Sequence, residues 1–222
     1  MNNDEKKNLP SSTDTPTQHT EKMLLERLQK SSTPDEYFRW MLFVVGYYRG
    51  MDRLNAAKAL LQRFVGTSEN GEHKVHCFLA LGQIATDEKD LEHAVKHFNA
   101  ALALEPTTSK IKYVLLNNIG FCLNSLGRYP EGERHCRKAL ELDWSRASAY
   151  RNLGISLMGQ SNPLGAAWAL TESAKAEPTD ERARGILKKL LGENPWLAIR
   201  CPWALDAFEA GVAATSVSES SM

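Results

Sequence analysis

VHCFLALGQIATDEKDLEHAVKHFNAALALEPTT, residues 75–108, is the stretch that decides the fold. Phe78, Leu81 and Ala85 recur in it at steps of three and four, with Gly82 next to Leu81. Ala94, Phe98 and Ala101 recur in the same way, and Pro106 closes the unit. Such spacing puts each set on one face of a helix, so the stretch predicts two helices with a break around Asp87, Glu88 and Asp90. The pattern returns twice. Leu116, Ile119, Gly120 and Leu123 precede Gly132, Cys136 and Ala139; then Tyr150, Leu153, Gly154 and Leu157 precede Ala166, Leu170, Ser173 and Pro178. Four additional residues around Thr107–Lys110 lengthen the step from the first copy to the second.

Glycine is a poor helix former, so its reuse inside three equivalent helices predicts a close approach of a second helix. The small residues Ala94, Gly132 and Ala166 are the expected opposite wall, where larger side chains would overpack at a cost of roughly 1–3 kcal/mol. Pro106 and Pro178 stand where the second helix must end; the middle copy has Trp144 there. A weaker copy precedes these, with Leu42, Val45 and Gly46 followed by Ala57 and Leu61, and with a tight turn at Asp52-Arg53.

The order of large residue, Leu-Gly, Ala, Phe and Pro resembles the tetratricopeptide repeat, whose period is about 34 residues. The resemblance implies an all-α, right-handed solenoid of antiparallel helix pairs. On it, residues 1–20 form a disordered tail, 21–66 the N-terminal helices with the degenerate repeat, and 75–108, 113–146 and 147–180 the three repeats. Residues 181–211 form a capping helix and a tryptophan-bearing segment, and 212–222 a second disordered tail. The layout is also similar to small type III secretion chaperones, which hold an export substrate.

The family lines a concave groove with the second, fifth, sixth, ninth and twelfth residues of each first helix. Carried over, these are His76, Leu79, Ala80, Gln83 and Thr86 in the first repeat. The second repeat supplies Val114, Asn117, Asn118, Phe121 and Asn124; the third supplies Ser148, Arg151, Asn152, Ile155 and Met158. Asn118 and Asn152 share one repeat position, so they either form an amide ladder for a peptide backbone or brace neighbouring helices. The chaperone-tail clamp of some family members needs cations where this chain has Leu79, Ser148 and Asn152, which argues against an anion clamp. The resemblance implies a non-catalytic interaction module with a protein or peptide partner.

Composition agrees with that. The 222 residues carry 27 basic and 27 acidic side chains with no basic run, which argues against nucleic acid. No apolar stretch is long enough to span a bilayer, and Met1–Thr20 lacks the apolar middle of a secretory signal, so a cytoplasmic address is expected. Cys77, Cys122, Cys136 and Cys201 are widely spaced and read as small buried hydrophobes. No nucleotide-binding, zinc-protease or serine-hydrolase motif occurs, so neither enzyme activity nor a cofactor is expected. The competing reading is a metal-dependent factor centred on His93, His97 and His135 with Glu92 or Glu133.

Toward the C-terminus, Ala183, Ile186, Leu187, Leu190 and Leu191 predict the inward face of a capping helix, with Arg182, Arg184, Lys188 and Lys189 in water. Beyond it, Trp196, Ile199, Trp203, Ala207 and Phe208 read as one apolar stripe. That stripe packs on the last repeat, docks on a partner, fills the groove, or joins two copies in a homodimer through Trp196 and Trp203.

Overall fold

A computed structural model describes residues 16–209. They are helical with no strand among them, and the chain divides between Arg63 and Phe64 into two compact units. The tails expected at 1–15 and 212–222 lie outside the described residues; residues 16–20, expected in the N-terminal tail, are instead helical.

In the first unit, α1 (Pro16–Gln29) packs on α2 (Pro34–Gly50), and α3 (Leu54–Thr67) begins after a turn at Asp52. Thr33 caps α2 by accepting from the Glu36 amide, while the Glu36 carboxylate accepts from the Ser32 amide and hydroxyl, each at 3.0 Å. Glu21 of α1 accepts from Tyr48 and from Arg53, whose guanidinium lies 4.4 Å from the Tyr48 ring centre. These bonds tie α1 to the far end of α2.

The second unit carries the repeats as helix pairs: α4 (Gly71–Asp87) with α5 (Leu91–Ala103), α6 (Ser109–Ser125) with α7 (Tyr129–Leu142), and α8 (Ala147–Gly159) with α9 (Pro163–Ala176). Then come α10 (Glu181–Glu193), α11 (Trp196–Arg200) and further helical residues from 202 to 209. Each pair turns in one way. Lys89, Gly127 and Ser161 adopt positive φ, and the next amide reaches back to the first helix, Asp90 to Ala85, Arg128 to Leu123 and Asn162 to Leu157, at 2.8–2.9 Å. These are helix-ending bonds of the Schellman type. Arg53 repeats the bond to Tyr48 after Asp52, at 2.8 Å.

The core runs through these pairs as successive clusters. Phe98 of α5 is buried with Val75 and Ala85 of α4 and Leu115 and Ile119 of α6. Leu170 of α9 is buried with Cys136 of α7, Leu153 of α8 and Leu187 of α10. Each pair therefore shares its apolar face with the helix that follows, as expected of stacked repeats.

Four sequence expectations need revision. The wall facing Gly82 and Gly154 is not the small residue but the large one a turn later. A Cβ at Gly82 would overlap the Phe98 ring, and one at Gly154 would stand 2.7 Å from Leu170 Cγ. At Gly120 backbone is among the nearest atoms, with Gly132 O at 3.3 Å beside Cys136 Sγ at 2.6 Å. Gly46 of the degenerate copy is exposed and meets nothing within 4 Å. Arg184, expected in water, is buried in α10. The C-terminal stripe is turned: Leu197, Cys201 and Ala204 are buried with Phe208 against them, while Trp196, Ile199 and Trp203 point outward, Ile199 being 84% exposed. Residues 197, 201, 204 and 208 follow the helical period more closely than the tryptophan-led set does.

Trp144, at the position of the missing proline, is 77% exposed. Asp143 ends α7 instead, accepting from the Ser145 amide and hydroxyl and from Arg146.

Candidate functional site

The first helices of the pairs meet along their sides through polar atoms. Tyr113 and Ser148 hydroxyls are 2.8 Å apart across α6 and α8. Asn124 donates to Asn152 O at 2.8 Å and accepts from Ser156 Oγ at 2.7 Å. Asn152 in turn donates to Asn117 Oδ1 at 3.0 Å. Between α4 and α6 the corresponding contact is Thr86 Oγ1 to Cys122 Sγ, 3.7 Å. The face under consideration is thus a side-by-side row of α4, α6 and α8.

On this row the groove candidates divide into two groups. Asn152, 3% exposed, and Asn124, also buried, spend their amides inside the fold and brace α6 against α8. Ser148 is held by Tyr113, and Arg151 by an ion pair with Asp180 at the start of α10. His76, Leu79, Ala80, Gln83, Thr86, Val114, Asn117, Asn118, Ile155 and Met158 are half-buried. Phe121 is the most open of the set at 42%. Asn118 and Asn152 therefore do not form one exposed ladder, although they share a repeat position. Asn118 has no hydrogen-bond partner among the described residues, whereas Asn152 is consumed.

Sequence reasoning missed the role of Asn124. Its signal is Gly132, a glycine where the other second helices have alanine: a Cβ there would overlap the Asn124 amide oxygen.

The histidines are dispersed. His93 Nδ1 sits 2.8 Å from Asp90, the residue that caps α5. His97 stacks on Phe78, ring centres 6.2 Å apart, and burial holds its pKa below the usual value. His135 Nδ1 is buried without a partner, and burial lowers its pKa as well. Glu92 lies 3.7 Å from Arg128, and Glu133 accepts from Arg137 and Gln160. No three metal-ligating side chains come together among the described residues. The four cysteines are free and buried, and burial pushes the Cys77 and Cys136 thiols up to about 12. No helix among the described residues is long and apolar enough to cross a membrane.

A family model described as tetratricopeptide repeat matches residues 75–108. Residues 75–108 are a tetratricopeptide repeat. The repeats at α6–α7 and α8–α9 reuse the same glycine contacts and turns. A wheat (Triticum aestivum) Hsp70-Hsp90 organizing protein is 30% identical over 102 residues, covering 46% of this chain and 17% of that one. Among solved structures, BtubC from P. vanneervenii superposes with a TM-score of 0.70 at 12% identity, over 93% of this chain and 91% of its own. YrrB, described as a TPR protein with an unusual peptide-binding site, gives 0.58 at 18% identity, over 78% and 84%. At these identities the structures share the tetratricopeptide-repeat fold with this chain. The wheat protein extends well beyond the aligned stretch.

Proposed function

We propose that the row of α4, α6 and α8 holds an extended segment of a partner protein, and that the chain acts as a non-catalytic interaction module. The observation that carries this is Asn118, an amide with no partner among the described residues, three residues before the half-open ring of Phe121. Residues three apart are neighbours on a helix surface. An amide pairs with a peptide backbone whatever its sequence, and an exposed ring takes an apolar side chain. Half-buried Ile155 and Met158 extend the apolar path along α8. YrrB's described peptide-binding site and the wheat relative's name, an organizer of two chaperones, support a protein-holding role. A cytoplasmic address goes with this reading, since four buried free thiols suit a reducing compartment. So does a protein rather than a nucleic-acid partner, given the even charge balance.

The test is a screen of extended 12-residue peptides against wild type and the Asn118→Ala/Phe121→Ala variant. Loss of the amide should cost ~0.5–1.5 kcal/mol per hydrogen bond, and loss of the ring should remove most of the rest. Peptides held equally by both proteins would discard the site.

A second surface favours self-association. Trp196, Ile199 and Trp203 are exposed on one side of the C-terminal segment, with Arg200 and with Asp206 and Glu209 exposed nearby. Charges of both signs allow two copies to face each other about a twofold axis. Sedimentation over a concentration series should show a weak dimer that Ile199→Asp abolishes; a monomer at all concentrations would refute it.

A further inference from the structure

Arg151 is the one fixed charge among the groove candidates, and its state decides what kind of peptide can pass over α8. Its guanidinium is paired with the Asp180 carboxylate, and the two side chains are only 19% and 9% exposed. Asp180 is anchored twice over, because it also caps α10 by accepting from the amides of Arg182 (3.0 Å) and Ala183 (3.4 Å). The neighbouring cation, Arg146, is spent as well: Asp143 accepts from it at 2.9 Å, and it lies 5.6 Å from the Tyr113 ring centre. The cleft of about 490 Å³ between the starts of α8 and α10 holds Arg151 and Arg182 against Glu177, Asp180 and Glu181, one more negative charge than positive.

From this pairing we infer that Asp180 is a specificity-determining residue: by holding Arg151 it closes this end of the row to carboxylates, and the partner segment that crosses α8 is uncharged and apolar. The inference rests on the groove proposed above. An acidic side chain arriving there meets the Glu177 and Glu181 carboxylates beside the pair, with exposed Arg182 the single cation left against them. A neutral segment needs none, and finds Ile155 and Met158.

Asp180→Asn tests this with little disturbance, since asparagine caps a helix as well as aspartate does. In that variant Arg151 loses its counter-charge and becomes available to a ligand carboxylate. The probes are two fluorescein-labelled 12-residue peptides of alternating leucine and polar residues, one with glutamine and the other with glutamate at the polar positions, measured by anisotropy. Wild type should hold the glutamine peptide at least fivefold more tightly, with less than a twofold change between 50 and 300 mM salt. Asp180→Asn should reverse the preference and make it salt-sensitive. The double variant Arg151→Gln/Asp180→Asn should return to the neutral peptide, and circular dichroism checks that each variant is folded.

A wild type that prefers the glutamate peptide overturns the inference, as does a folded Asp180→Asn with unchanged preference. If capture remains dependent on Phe121 in those cases, only the inference falls. If neither peptide binds any variant, the groove reading falls with it.

Discussion

Gly46 and Gly82 occupy the same place in the repeat pattern, yet alanine at the two positions should have opposite effects. Both lie inside helices with negative φ, so alanine is conformationally acceptable at either. Replacing glycine within a helix gains about 0.8–1 kcal/mol from propensity. At Gly46 nothing lies within 4 Å of the new methyl group, so Gly46→Ala should keep that whole gain. At Gly82 the methyl group would overlap the Phe98 ring, which is fully buried in its cluster and cannot swing away. Overpacking of that kind costs roughly 1–3 kcal/mol, which against the propensity gain leaves Gly82→Ala destabilised by up to about 2 kcal/mol. At roughly 2–4 °C per kcal/mol for a chain of this size, one variant melts higher than wild type and the other lower. Because the two glycines lie in different compact units, amide exchange in α2 and in α4 should be followed alongside thermal melts. A destabilised Gly46→Ala, or a stabilised Gly82→Ala, would refute the account of why the repeat uses glycine.

Asn124→Ala removes its bonds to the Asn152 carbonyl and the Ser156 hydroxyl, which then keep each other, and should lower stability by ~0.5–1.5 kcal/mol per lost bond, whereas Asn118→Ala should leave the urea midpoint unchanged. Leu197→Ala should cost ~2–5 kcal/mol because the side chain is wholly buried, while Ile199→Ala should be nearly neutral in the same denaturation assay. The Cys77 and Cys136 thiols have folded pKa values near 12, above the ordinary 9.0, so the unfolded chain loses those protons first. Their contribution is complete below pH 9 and is lost as pH rises toward 12, about 1.4 kcal/mol per thiol for each pH unit. Urea midpoints at pH 8 and 10 should show the decline, and serine at both positions should flatten it. A thiol reagent at pH 8 should find these two cysteines silent until the protein unfolds.

The repeat itself is legible in the sequence because its signals are periodic: glycine, alanine and leucine recur at fixed offsets, and periodicity fixes which face of a helix is covered. What covers it is a different matter. Spacing alone made Ala94 the natural neighbour of Gly82; it is Phe98, since an aromatic side chain four residues along reaches back over the turn before it. Asn118 and Asn152 are alike in register and unlike in use, because the preceding repeat offers Asn152 an acceptor at Asn117 Oδ1. That depends on which side chain the adjacent unit happens to carry, and no pattern within one repeat encodes it. Arg151 reads as the free charge of the row until Asp180, 29 residues away, is seen beside it. The C-terminal stripe is turned for a simpler reason: Leu197, Cys201 and Ala204 share a helical face with Phe208, and that face is the one covered.

The joint between α6 and α8 is stitched by polar side chains. Hydrogen bonds from Tyr113, Asn124 and Asn152 fasten the two helices along their length. A directional bond resists sliding in a way that an apolar contact does not. The second and third hairpins can therefore travel as a single block, holding fixed the spacing between ligand-gripping points on α6 and α8.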